Sequence, residues 1–110
     1  MIETTVKEYL ETVIEGIPIL LETPKNLPDR FIVFQLIDRG KEDQINAVTL
    51  EFRCFAGSKY DAALLDETLR SAMESLHENT DISCHIGGGN DDQDSALKMY
   101  RYRSYYNLYY

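Results

Sequence analysis

NAVTLEFRCFAGSKYDAALLDETLR, residues 46–70, holds two periodicities on either side of a Gly-Ser joint. Before the joint, Val48, Leu50, Phe52 and Cys54 alternate with Thr49, Glu51 and Arg53. A period of two gives a half-buried β-strand, expected over 45–56. After Gly57, Leu65, Leu69, Ala72, Met73 and Leu76 recur at helical spacing, which predicts an amphipathic helix to about His77. Ser58 stands at its N-cap with Asp61 three residues on, the acidic relative of the capping box.

N-terminal to that strand, RFIVFQLID (30–38) is apolar at both parities, with Phe31, Val33 and Ile37 on one side and Ile32, Phe34 and Leu36 on the other. Such a strand requires cover on both faces. RGKEDQ (39–44) reads as a polar hairpin tip, so strands 30–38 and 45–56 form an antiparallel pair. Upstream, Ile2, Val6, Tyr9, Leu10, Val13 and Ile14 share one face of a helix over 2–15, ended by Gly16 and Pro18. IPILLE (17–22) reads as a short strand or an extended arm, and Pro24, Asn26 and Pro28 mark an irregular connection. Downstream, DISCHI (81–86) reads as a strand with Ile82, Cys84 and Ile86 inward. GGGNDDQDS (87–95) reads as a flexible acidic loop, and 96–110 as a long closing strand.

The expected fold is α+β, in the order α-β-β-α-β-β. An antiparallel sheet of about four strands carries both helices on one face. One domain spans residues 1–110, a common domain size. If the helices cover only one face, the second apolar face of strand 30–38 needs cover from the 17–28 connection or from another subunit, and an exposed patch of that kind marks an interface.

The formal net charge of −8 argues against tight phosphate-backbone binding, which depends on Lys and Arg. Cys54 and Cys84 form no CxxC or Cys/His set and read as reduced thiols among apolar neighbours. The acidic N-terminal helix is not a signal peptide, and no apolar run approaches a membrane span. Nothing in the pattern forms a catalytic constellation. GGGND matches neither phosphate-loop motif, and Asp91, Asp92 and Asp94 would oppose a phosphate while lacking calcium-loop spacing. His77, suited to the dipole near a helix C-terminus, and His85 have no paired spacing. No serine sits in a GxSxG context. No enzyme activity, metal or cofactor is expected.

Six of the eight tyrosines fall between 100 and 110. Parity puts Arg101, Arg103, Tyr105, Asn107 and Tyr109 on one face of the closing strand. An ordinary strand accommodates tyrosine well, while Tyr and Arg together are also what interfaces concentrate. Arg101, Arg103, Tyr105 and Tyr109, with Phe34 and Leu36 from the doubly apolar strand, are the candidate oligomer or partner interface.

PDRFIVFQLIDRG (28–40) followed by VTLEFRCFAGSKYDAALLDETLRSAMESL (48–76) resembles the tail-terminator, tail-completion and minor capsid proteins of long-tailed phages and prophages. The shared features are the Pro28–Phe31 entry, the small Ala56 ending the second strand, a helix opening on Ser58 with Ala62–Ala63 in its first turn, and the Arg101–Tyr102 pair in the closing strand. The likeness covers most of 28–110. It implies a structural protein of the virion neck, made in the host bacterial cytoplasm. Such a protein assembles into a ring, typically of six subunits, that ends the tail tube and meets the head–tail connector or stopper protein. DNA would pass through without sequence-specific binding, and no membrane is involved. The alternative is a small cellular ferredoxin-like domain that binds a ligand or regulates. That reading calls for a Gly-containing βα loop converging on a ligand, and the joint at 55–58 has only one glycine and no convergent basic group.

Overall fold

The computed structural model describes residues 1–94 and 99–110, with Glu42 and residues 90–94 by backbone alone. Helix α1 (Ile2–Val13) is followed by a two-residue strand β1 (Ile19–Leu20), then by β2 (Phe31–Glu42) and β3 (Ile45–Ala56). Helix α2 (Lys59–Glu74) and a single turn α3 (Leu76–Asn79) lead into β4 (Ser83–Asp94) and β5 (Met99–Tyr109). The sheet order is β1-β2-β3-β5-β4, antiparallel throughout except that β1 runs parallel to β2. Among the described residues, the expected sheet of about four strands has five, and the expected two helices are three. IPILLE resolves as the edge strand β1, and the helix predicted to reach His77 breaks at Ser75 into α2 and α3.

Two expected loops are strand instead. The hairpin tip is not the six residues 39–44, because β2 continues to Glu42 and only Asp43 and Gln44 turn the chain. Both have positive φ, 47° and 67°, the geometry a two-residue type I′ turn requires. The Gly-rich stretch forms the second half of β4 rather than a loop. Gly88 takes φ +119° at a bulge between Ile86 and the following pairs, and a Cβ on Gly89 would lie 2.6 Å from the Arg103 carbonyl oxygen. The glycines let β4 bend and hug β5. Ser95 of the expected loop and residues 96–98 of the expected closing strand lie outside the described residues.

Ser58 caps α2 as expected, its Oγ accepting from Asp61 N–H at 3.1 Å. Both long helices pack on one sheet face. Ile2, Val6, Leu10 and Ile14 from the α1 segment and Leu65, Leu69, Ala72 and Met73 from α2 meet Ile32, Phe34, Val48, Leu50, Phe52, Cys54, Tyr106 and Leu108. Phe34 stacks on Phe52 at 4.8 Å, and Tyr106 meets Phe52 edge-on at 5.4 Å. Val13 turns outward instead. On β4, Ile82 is buried just before the strand and Cys84 half-buried, whereas Ile86, expected inward, is exposed where the bulge begins.

The opposite face closes differently. Phe31 stacks on Phe55 at 4.7 Å, and with Val33 they form a small buried cluster against which Leu20 and Met99 pack. The doubly apolar strand therefore finds its second cover inside the chain. Phe31 and Val33 are buried within the chain and leave no apolar patch there for a partner subunit to cover. A bulge after Leu36 removes Ile37 from this face and leaves it exposed.

The open face of the sheet as candidate interaction surface

Beyond the Phe31–Phe55 cluster, the face away from the helices is polar and half-buried. Alternation along β3 and β5 brings Thr49, Glu51 and Arg53 beside Asn107, Tyr105 and Arg103, and Phe55 beside Arg101. Arg53 and Arg103 are direct cross-strand partners, a pairing of like charges that is unfavourable by itself. Glu51 offsets it, with Oε1 3.4 Å from Arg53 Nε and also accepting from Gln35 Nε2 at 3.4 Å. Thr49 Oγ1 donates to Asn107 Oδ1 at 2.8 Å. The Tyr109 ring packs edge-on against His85 at 5.5 Å. At the hairpin end, a groove of ≈ 340 Å³ is lined by Asp38, Lys41, Thr49, Asn107 and Tyr109, among others.

Of the six candidate interface residues, the sheet brings four together. Arg101, Arg103, Tyr105 and Tyr109 run along one face of β5, each half-buried, and neither Arg101 nor Arg103 is without a partner. Phe34 and Leu36 lie on the other face. Their register partners are Phe52 and Leu50, so the same parity that buries those two turns Phe34 and Leu36 toward the helices. Phe34 is fully buried, and Leu36 packs at the margin of the core.

The helix-side core contains a polar cluster that periodicity conceals. Asp66 on α2 is 3% exposed and Ser104 on β5 fully buried. Asp66 Oδ1, Ser104 Oγ and the Tyr106 hydroxyl are all buried without a well-aligned hydrogen bond. Burial pushes the Asp66 carboxyl up, against smaller opposing effects from Ser104 and the Arg70 guanidinium. Tyr106 is raised by the same burial. The signal lay in the spacing, since Asp66 falls four residues after Ala62 and three before Leu69, on the inward stripe of α2. Both cysteines are unpaired. Burial pushes the Cys54 thiol well up and the Cys84 thiol to about 11, which suppresses the reactive thiolate.

Among the described residues, no three His, Cys, Asp or Glu side chains gather as a metal site, and no helix is long and apolar enough to cross a membrane. No protein-family model matches the chain, and no curated protein matches it.

Proposed function

We propose that this chain is a structural assembly protein of a phage or prophage neck, a ring-forming tail terminator. It would end the tail tube and join it to the head–tail connector or stopper protein, in a ring of six subunits through which DNA passes without sequence-specific contact. The supporting observation is the row Arg101, Arg103, Tyr105 and Tyr109, half-buried on a sheet face that bears none of the described helices. Arginine and tyrosine are the residues from which interface hot spots are made. A sheet face offered to a neighbour whose different surface receives it is a heterologous contact, and such contacts generate rings when the rotation closes. The formal charge of −8 suits a conduit to which DNA must not adhere.

The test is assembly. Light scattering and negative-stain imaging of the purified chain, alone and with tail tubes of the phage that encodes it, should show closed rings or capped tubes. Arg101→Glu with Arg103→Glu should abolish assembly while the circular-dichroism spectrum stays native. A chain that remains monomeric at high concentration and never caps a tube overturns the reading. Unchanged assembly by the double variant removes those arginines from the interface.

A further inference from the structure

A second surface lies on the outside of the helical layer. Tyr9 of α1 donates its hydroxyl to the Ala72 carbonyl of α2 at 2.7 Å, while Val13 lies toward Leu64 at the start of α2, so the two helices run antiparallel. Between them are two depressions, of ≈ 350 and ≈ 500 Å³, that share Val13 and Thr68 as lining residues. Together they form one furrow along the α1–α2 seam, each half in the size range of small binding pockets.

Among the polar residues of its walls stand apolar side chains at helix positions that face solvent. Val13 is 46% and Leu64 42% exposed, and Ile17 lines the same end. Tyr60, one turn before Leu64, extends the stripe. Glu15 lies at one end, where Arg30 also enters the lining, and Glu78 at the other. The surrounding layer has the same sign. The three helices carry eight Asp/Glu against three Lys/Arg, and of those carboxylates only Asp66 is buried.

We propose that the α1–α2 furrow is a docking groove for a cationic amphipathic helix of a partner protein. An apolar floor with i, i+3/i+4 spacing suits the apolar stripe of a third helix, the helix-in-groove mode of recognition. Glu15, Glu78 and the net negative charge of the helical layer outweigh Arg30, so the rim selects Lys and Arg on the partner's flanks and speeds the encounter. A second copy of this chain is the wrong occupant, because its own amphipathic helices carry the same negative charge. The groove lies on the opposite side of the molecule from the β5 face, so this proposal stands independently of ring assembly.

The experiment uses the full chain and two model peptides of helical Leu/Lys and Leu/Glu heptads. Binding is followed by fluorescence anisotropy and mapped by amide chemical shifts. The Leu/Lys peptide should bind and shift residues of the furrow, including Val13, Leu64 and Thr68. The Leu/Glu peptide should not bind. Val13→Asp with Leu64→Asp makes the chain still more acidic while destroying the floor. It should weaken the Leu/Lys peptide about tenfold or more, about 1.4 kcal/mol or more. Both positions are exposed, so the fold should survive, as circular dichroism will show. Glu15→Lys with Glu78→Lys should also weaken binding and flatten its salt dependence. Undiminished binding by the Asp double variant, shifts confined to the β5 face, or equal binding of the Leu/Glu peptide overturns the proposal.

Discussion

The two faces of this sheet use the same strands and solve opposite problems. The face toward α1 and α2 is a continuous apolar layer, from Ile32 and Phe34 through Phe52 to Tyr106 and Leu108. The other face is apolar only at one end, where Phe31, Val33 and Phe55 are closed by Leu20 and Met99. It continues as a polar array around Glu51, Arg53 and Arg103. Burial on the first face supplies most of the stabilisation, since apolar area removed from water is the dominant favourable contribution to folding. The polar array on the second face is only half-buried, so less of its surface leaves water on folding and its exposed parts are open to contacts outside the chain.

The largest expected effect tests that division. Phe52 is fully buried between Phe34 and Tyr106, so Phe52→Ala should cost ~3–5 kcal/mol of unfolding free energy. Phe55 is as deeply buried but belongs to a cluster of three. Its cavity has fewer walls and can collapse further, so Phe55→Ala should lie at or below the lower end of that range. Urea titration of both variants decides the matter. A costlier Phe55→Ala would mean that the small cluster, not the helix-side core, anchors the sheet.

Much of the helix-side face was legible in the sequence, because alternation in 46–56 and helical spacing after Gly57 are separate periodicities that agree on where the core lies. The turns were not. Asp43-Gln44 lacks the Asn-Gly or Asp-Gly signature that marks a two-residue hairpin, and three glycines ordinarily mark a loop. At Gly89 it is the approach of the neighbouring strand's backbone, invisible locally, that makes glycine fit a strand. The open face was half legible. Parity within β5 grouped Arg101, Arg103, Tyr105 and Tyr109, but parity within β2 could not say which of its two apolar faces the helices would take. That choice put Phe34 inside. Asp66 was concealed for a different reason, since a charged residue on an otherwise apolar stripe is ordinarily assigned to solvent.

Asp66 is a polar group buried on the apolar side of the sheet. Its carboxyl is raised in the folded state, so folding favours the neutral acid. At pH 7 the ionised form opposes folding, and that penalty declines as pH falls through the folded pKa. It is gone below the unfolded value near 4. Asp66→Asn should therefore stabilise the protein at pH 7 and flatten its stability between pH 7 and 4. Thermal unfolding across that range reads both. Loss of stability at pH 7 would show instead that Asp66 is held ionised by Arg70, in a favourable pairing across one turn of α2.

The smallest expected effect belongs to the polar array. Thr49 donates to Asn107 across the β3–β5 pair at 2.8 Å. Thr49→Val keeps the branched shape and the strand preference while deleting the donor. Both residues are half-buried and accessible to water, so the freed Asn107 oxygen can be solvated. The cost should fall within ~0.2–1 kcal/mol, the usual worth of a cross-strand pair. Chemical denaturation resolves a change near the upper end of that range. A loss of ~2 kcal/mol or more would be the signature of a buried acceptor left unsatisfied. In that event the polar face is part of the folding core, and its side chains are not free to be specified by a partner.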